Sequence, residues 1–429
     1  MTVVRVALPV PLRQHFDYLI DASWLPQIGS RVLVPFGNRK LVGIIWQLSP
    51  SDSFEQAKLK PAIQLIDQQP VIPPQLCQLL SFAADYYHHP LGEVLISALP
   101  ALLREGRNLA DYQPKAYQLT AKGQALDDVA LKRSPKQLAL WQELAKHSLT
   151  ESVLLQQYSR ATLKQLLDKQ LAEEVIVPPE PYSAPKVMPQ GLKLTASQAL
   201  AVTAVTQAIG RFERLLLEGV TGSGKTEVYL QSIESVLSMQ QQVLVIVPEI
   251  GLTPQTLARF QARFDVPVLC WHSALSDSER LHCWLQASTG AAAIIIGTRS
   301  ALFLPFWCLG LIIIDEEHDQ SLKQQDGFRY HARDLAIKRA ALHHCPILLG
   351  SATPSLESLH NALNKRFIHL PLPDRAAGAA RHRLRHHEPG EHQLRRACRL
   401  GLRRAARPPA HVGHSRTSWS RPRPRRPAC

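Results

Sequence analysis

The chain has 429 residues and a formal net charge of +14, from 49 Lys and Arg against 35 Asp and Glu. Residues 371–429 hold 15 Arg, no Lys and three acids, a net of +12, which leaves residues 1–370 almost neutral at +2, so overall basicity is no argument that the body binds nucleic acid. Seven Cys without a CxxC pair show neither a zinc ribbon nor a disulfide framework, and no apolar run reaches the length needed to cross a bilayer.

The N-terminus lacks a charged start followed by an apolar core and a cleavage site, so a soluble cytoplasmic protein without membrane attachment is the default expectation. Residues 1–105 read as a small β-rich unit. VVRVALPV, RVLVPF and RKLVGIIWQL are strand candidates, the last after the turn-like Gly37-Asn38, and LCQLLSFAADYYHHPLGEVLISALP has helical spacing. Residues 106–180 carry short helical runs ending in a β-type run. That pattern suits a winged-helix-like unit and equally a plain helical spacer. The Pro-rich stretch from Val177 to Gly191 marks a boundary. Residues 181–370 alternate helical segments with RLLLEGV, QVLVIVPE, VPVLCWH, AAAIIIG, LGLIIIDE and PILLGSAT. These runs are apolar on both faces, as strands of a helix-covered parallel sheet must be, so an α/β class is expected. Residues 371–429, with eight Pro, six His and no Ile, Phe or Tyr, cannot assemble a packed core and are expected to be disordered.

Gly219-Val-Thr-Gly-Ser-Gly-Lys-Thr226 follows a strand and precedes a helix, which is the context of a phosphate-binding loop. Gly219, Gly222, Ser223 and Gly224 let backbone N–H groups surround the phosphates of ATP, Lys225 neutralises them, and Thr226 holds Mg²⁺. Leu311-Ile-Ile-Ile-Asp-Glu-Glu-His318 ends a buried strand in carboxylates, which places Asp315 to share the Mg²⁺ and Glu316 to polarise an attacking water. Gly350-Ser-Ala-Thr353 ends a further strand. The order GSGKT, DEEH, GSAT resembles the motor core of the second helicase superfamily. That resemblance gives Gln198 to the adenine base and His318, Ser351 and Thr353 to coupling between the nucleotide and the rest of the motor. It also gives the strand-end loops 248–255 and 297–300 to the DNA backbone, with Thr253, Gln255, Thr298 and Arg299 as contacts. The stretch from Asp319 to His331 mixes Lys323, Arg329 and the nearby Arg333 with Phe328 and Tyr330. That mixture suits stacking on a single strand or, equally, tucking a loop onto the core.

The strings PEIGLTPQT, DEEHD, KQQDGFRYHARDLA and GSATPS, with VALPVPL and ADYYHHPLGEVL before them, resemble the bacterial PriA family of primosomal replication helicases over residues 1 to about 370. The resemblance implies a 3′-end DNA-binding region, a winged-helix region and an ATP-driven motor that unwinds DNA 3′→5′ at stalled forks. It implies branched and single-stranded DNA, primosome proteins and single-strand-binding protein as partners of a monomer. It places Phe16, Asp17, Gly37 and Lys60 in the terminus-binding pocket, and Lys132 to Lys136 near duplex phosphate, a segment that reads equally as a solvated charge run. The family's second lobe and zinc-binding Cys pairs have no counterpart after Phe367. Residues 371–429 read either as an Arg-rich tail or as translation out of frame, and the loss of Lys with the excess of Arg, Pro, Ala and His favours the second. A motor so interrupted is expected not to unwind. The alternative is a fork-structure binder with no motor activity.

Overall fold

The computed structural model describes residues 1–50, 58–177, 179–183 and 192–373; apart from 371–373, the expected tail lies outside the described residues. The first region is a five-stranded antiparallel sheet of β1 (Thr2–Ala7), β2 (Phe16–Ile20), β3 (Arg31–Phe36), β4 (Arg39–Leu48) and β5 (Gln64–Leu65), in the order β2-β1-β4-β3-β5. Alternation along the strands sends Val4, Val6, Tyr18, Ile20, Val32 and Val34 to one face, where they form a small core. Gly37 makes the β3–β4 turn at φ +56°, a backbone that glycine adopts without a Cβ clash.

Three helices follow, α1 (Pro74–Tyr86), α2 (Leu91–Ser97) and α3 (Ala101–Arg104). Pro74 starts α1 at the position where its missing N–H costs nothing. The helices do not bury themselves on their own sheet alone. Leu79, Leu80, Leu95 and Leu103 share one core with Trp284, Leu285, Phe303, Leu335 and Ala336 of the third region. Arg31 is fully buried and forks onto Asp67 with two 2.7 Å bonds, while its Nη1 donates to Leu103 O and Arg107 O. A buried guanidinium persists only when so satisfied, and here it pins β3 to the end of the helical segment.

The second region holds β6 (Lys115–Leu119), α4 (Ala121–Gln124), α5 (Pro135–Leu144), β7 (Leu149–Thr150), α6 (Glu151–Gln157), α7 (Arg160–Asp168) and β8 (Ala172–Ile176). Its strands run β7-β6-β8, antiparallel, over a separate core of Tyr117, Leu140, Leu154, Leu163 and Leu166. Lys132, Arg133 and Lys136 are exposed around the start of α5.

The third region runs α8 (Ala196–Ala208), β9 (Arg214–Gly219), α9 (Lys225–Leu237), β10 (Gln242–Ile246), α10 (Pro254–Arg263), β11 (Val268–Trp271), α11 (Asp277–Thr289), β12 (Ile294–Gly297), β13 (Leu309–Ile314), α12 (Ala332–Leu342), β14 (Ile347–Ser351), α13 (Leu356–Leu363) and β15 (Ile368–Leu372). Its seven strands are parallel, in the order β11-β12-β10-β13-β14-β9-β15. Every residue of β10, β12 and β13 is buried, because helices cover both faces of the sheet. The six expected strands are all present. The seventh, β15, was not expected: it pairs with β9 but is mostly exposed and contains Pro371, so it carries no buried-strand signal. Among the described residues no helix is long and apolar enough to cross a membrane.

Candidate nucleotide site and nucleic-acid face

In a parallel sheet all loops after the strands gather at the carboxyl edge, where ligands bind. The strand order then sorts them. Loops after β13, β14 and β9 lie side by side and carry DEEH, GSAT and GSGKT. Loops after β11, β12 and β10 lie on the other half of the edge and carry His272-Ser273, Thr298-Arg299 and the 248–255 segment.

The loop between β9 and α9 takes its shape from two left-handed glycines, Gly222 at φ +82° and Gly224 at φ +84°. A Cβ on Gly219 would lie 2.4 Å from Ser223 Oγ, so the strand end must be bare for the loop to fold back. Ser223 Oγ is buried without a partner. Lys225 is buried, donates from Nζ to Gly219 O at 2.8 Å and lies 3.7 Å from Glu316 Oε1. A cation parked on a carbonyl beside an orphaned hydroxyl at a helix start fits a phosphate group. Thr226 is half-buried one residue into the helix.

Asp315 ends β13. Tyr229 of α9 donates its hydroxyl to Asp315 Oδ1 at 2.8 Å. Burial raises the Asp315 pKa, against the opposing pull of the Tyr229 bond and of Lys225. The Tyr229 phenol is pushed well above its ordinary range, first by burial and then by the Asp315 charge. A Cβ on Gly350 would lie 1.7 Å from that phenol oxygen, so Gly350 is the space Tyr229 needs. Tyr229→Phe is expected to cost about 1–2 kcal/mol, because it strips one partner from a buried carboxylate. Denaturant unfolding monitored by circular dichroism measures it.

Glu316 has φ +47°, a strained conformation for a residue with a side chain. Its neighbours hold it there. Glu317 N donates to Gly350 O at 3.0 Å. The Glu317 carboxylate, 1% exposed, accepts from Arg333 Nη1 (2.9 Å), Ser355 N (2.7 Å), Ser355 Oγ (3.1 Å) and Ser358 Oγ (2.9 Å). Burial works against the Arg333 charge, but Glu317 and Asp334 outweigh it and hold its pKa above the ordinary arginine value. His318 Nδ1 lies 2.8 Å from Ser351 Oγ, which also accepts from Thr353 N at 3.0 Å. The three residues given to coupling therefore meet at one hydroxyl.

Gln198 is buried. Its Oε1 accepts from Thr195 N, capping α8, and its Nε2 donates to Ser223 O at 2.8 Å. The amide is thus spent largely on positioning the phosphate loop; base recognition would have to use its one remaining N–H and lone pair.

The nucleic-acid candidates divide. Thr253 caps α10 by accepting from Thr256 N, and Gln255 is exposed beside it. Thr298 is buried. Arg299 bonds Glu249 Oε1, Gln324 Oε1 and Ser321 O, so it ties the 248–255 loop to the 319–331 loop. Of the stacking set, Arg329 is exposed, and Lys323 Nζ sits 5.4 Å from the Tyr87 ring centroid. Tyr330 is not free to stack on a base: it is 4% exposed and packs on Phe303 and Phe328. Phe328 in turn meets Tyr87 and His89 of the first region, and His331 N donates to Tyr87 Oη at 3.1 Å. These aromatics tuck the loop onto the core. Arg333 likewise belongs to the interior, on Glu317.

In the first region Phe16 packs edge-on against Phe36 with centroids 5.1 Å apart, next to the exposed turn at Gly37, and Lys60 is exposed with its carbonyl accepting from Leu19 N. Asp17 faces away from Phe16, as alternation requires. It pairs in register with Arg5, which donates from Nε and Nη2 at 2.9 and 3.2 Å, and the carboxylate is 4% exposed. The expected pocket therefore has its ring and its carboxylate on opposite sheet faces, meeting only at the strand end.

Comparison with known proteins adds the following. A 3′DNA-binding domain (3′BD) model matches residues 5–100, and a DEAD/DEAH box helicase model matches residues 195–362. The replication restart protein PriA of Haemophilus influenzae is 45% identical over 388 residues, covering 88% of this chain and 53% of that protein. PriA of Bacillus subtilis is 34% identical over 420 residues, covering 81% and 52%. The chain spans about half the length of the curated relatives it matches. A structure of RecG bound to a three-way DNA junction aligns with 45% of this chain and 25% of its own, at 23% identity and a TM-score of 0.34.

Proposed function

We infer, for a chain similar to the replication restart proteins PriA over most of its length, that its body is the DNA-end-binding and ATP-binding half of a replication restart helicase. The single observation that carries this reading is the shared core. The region matching a 3′DNA-binding domain is packed through α1–α3 onto the sheet that bears the phosphate loop, so the two are one mechanical body.

In this reading ATP sits at the carboxyl edge near β9, β13 and β14, and supplies the phosphoryl group whose hydrolysis drives movement. Lys225, Gly222, Ser223 and Gly224 hold its phosphates, and Thr226 with Asp315 would hold Mg²⁺, which would neutralise phosphate charge. Glu316 orients the attacking water and takes its proton. His318, Ser351 and Thr353 pass the state of the site to neighbouring elements. Thr253, Gln255, Thr298 and Arg299 contact the tracked strand; Lys323 and Arg329 extend that face. Phe16, Asp17, Gly37 and Lys60 receive a 3′ end at a fork. Primosome proteins, single-strand-binding protein and a cytoplasmic setting belong to the same proposal. The described residues supply one parallel-sheet lobe, and an Arg brought to the phosphates from a second lobe would be worth ~10³–10⁵ in rate. This 429-residue polypeptide alone is proposed to bind nucleotide and branched DNA without unwinding. A strand-displacement assay on a forked duplex tests that, and ATP-dependent 3′→5′ unwinding would overturn it. The second reading, a fork-structure binder with no motor, draws on the first 180 residues, of which 5–100 match the 3′DNA-binding domain model; DNA-stimulated ATP hydrolysis would exclude it.

The end-binding half of the proposal has its own test. A carboxylate accepts from a 3′-hydroxyl and repels a 3′-phosphate, so hydroxyl ends are expected to bind about tenfold tighter, the worth of one charged hydrogen bond. Asp17→Asn should erase most of that ratio in fluorescence anisotropy. Equal binding of both ends by the unmodified chain would remove the end-recognition reading.

A further inference from the structure

The hydroxyl of Tyr229 has one partner among the described residues, Asp315 Oδ1 at 2.8 Å. Packing does not ask for that hydroxyl. Tyr229 is 2% exposed and shares a core with Ile233, Leu311, Ile313 and Leu348, where a phenyl ring would fill nearly the same volume. Burying a hydroxyl costs free energy unless it is bonded, so the reason for it lies in the bond. A second element keeps its place open: Gly350 of β14 lacks the Cβ that would fall on the phenol oxygen. Elements α9, β13 and β14 thus agree on delivering this hydroxyl to this carboxylate. Thr226 and Tyr229 stand at i and i+3 on α9, so they share one side of the helix. The bond to Asp315 brings that side against the end of β13. Thr226 and Asp315 together offer a hydroxyl and a carboxylate, an all-oxygen set that fits a small hard cation completed by phosphate oxygens and water.

We propose that Tyr229 is a positioning residue that sets which divalent cation accompanies the nucleotide, favouring Mg²⁺ over Ca²⁺. The inference rests on the nucleotide reading above. The phenol engages Oδ1 and fixes the plane of the carboxylate, which leaves Asp315 to meet a cation through its other oxygen. A single oxygen suffices for Mg²⁺, which takes few protein ligands and keeps its water. Ca²⁺ is larger, takes about six to eight oxygens, and gains from a carboxylate that can turn to offer both of its own. Tyr229→Phe frees Asp315 to turn in that way, at the expense of the fixed geometry that suits the smaller ion.

The test is titration of the full chain with a fluorescent, non-hydrolysable ATP analogue in Mg²⁺, in Ca²⁺ and in EDTA. Mg²⁺ should tighten binding by the unmodified chain more than Ca²⁺ does. Tyr229→Phe should shrink that preference about three- to tenfold, the worth of one hydrogen bond, and leave the affinity in EDTA as it was. A tyrosine that only supports the fold would loosen the site alike in every condition. An equal change in all of them, or an unchanged preference, would therefore overturn the proposal. In the Asp315→Asn background Tyr229→Phe should leave the preference where it stands, because it acts through that carboxylate; a further shift there would also overturn it. If Mg²⁺ fails to tighten analogue binding by the unmodified chain, the metal reading of Thr226 and Asp315 falls and the proposal falls with it. If Mg²⁺ tightens binding and Tyr229→Phe keeps the full preference, the proposal alone falls.

Discussion

Replacing Lys225 with Ala should weaken nucleotide binding by about 10- to 100-fold, as measured by titration with a fluorescent ATP analogue. The ammonium is nearly enclosed and has two protein partners, the Gly219 carbonyl and, at 3.7 Å, Glu316. Neither is strong competition for a phosphate. The carbonyl carries no net charge, and Glu316 is too distant for a hydrogen bond. A charged hydrogen bond lost from a water-poor site costs about 1.5–3 kcal/mol, which sets the range. The change should leave the fold in place, because Lys225 is the first residue of α9 and Ala is a good helix former. Unchanged affinity in a variant with unchanged thermal unfolding would remove Lys225 from the site.

Glu317→Ala should be the most destabilising single change at this edge of the sheet, at about 3 kcal/mol, because it takes the nearer carboxylate from the Arg333 guanidinium and leaves it only Asp334, at 3.4 Å, as a charged partner. Three further donors, Ser355 N, Ser355 Oγ and Ser358 Oγ, lose an acceptor at the same time. Glu317→Gln keeps one carbonyl acceptor and should cost less. Pairing Glu317→Ala with Arg333→Met should recover a large part of the loss, since much of the penalty lies in the under-paired charge. Thermal and denaturant unfolding read all three variants. If Glu317→Ala unfolds with the unmodified protein, the network is not what holds Glu316 in its left-handed backbone.

The motor lobe was legible in the sequence because its strands are apolar on both faces and its loops carry GSGKT, DEEH and GSAT. His318, Ser351 and Thr353 were grouped by the resemblance that the motif order carries, and their meeting at the Ser351 hydroxyl is a structural finding. What was not legible depended on which neighbour a side chain meets. Glu317 drew no role from the sequence, since nothing local shows that its partner lies 16 residues on, at Arg333. Phe328 and Tyr330 read equally as stacking platforms and as core, and neighbours distant in sequence, Tyr87, His89 and Phe303, decide for the core. Asp17 was visible, but its pairing with Arg5 is a matter of strand register. Tyr229 carried a weak local signal, an aromatic one helical turn after the phosphate-loop Lys.

The common core of α1–α3 and the motor sheet also sets a timetable for synthesis. α1 leaves the ribosome long before α12, the helix that covers part of its apolar face, and the residues that join them at Tyr87 and His331 are 244 positions apart. At ordinary translation speeds that is a wait of roughly 10–50 s. Through that interval Leu79, Leu80 and Leu95 are made but lack their motor-side partners. The nascent chain thus offers a sticky surface to whatever chaperone is near, and the front of the protein becomes fully native only after the seven-stranded sheet and α12 have been translated.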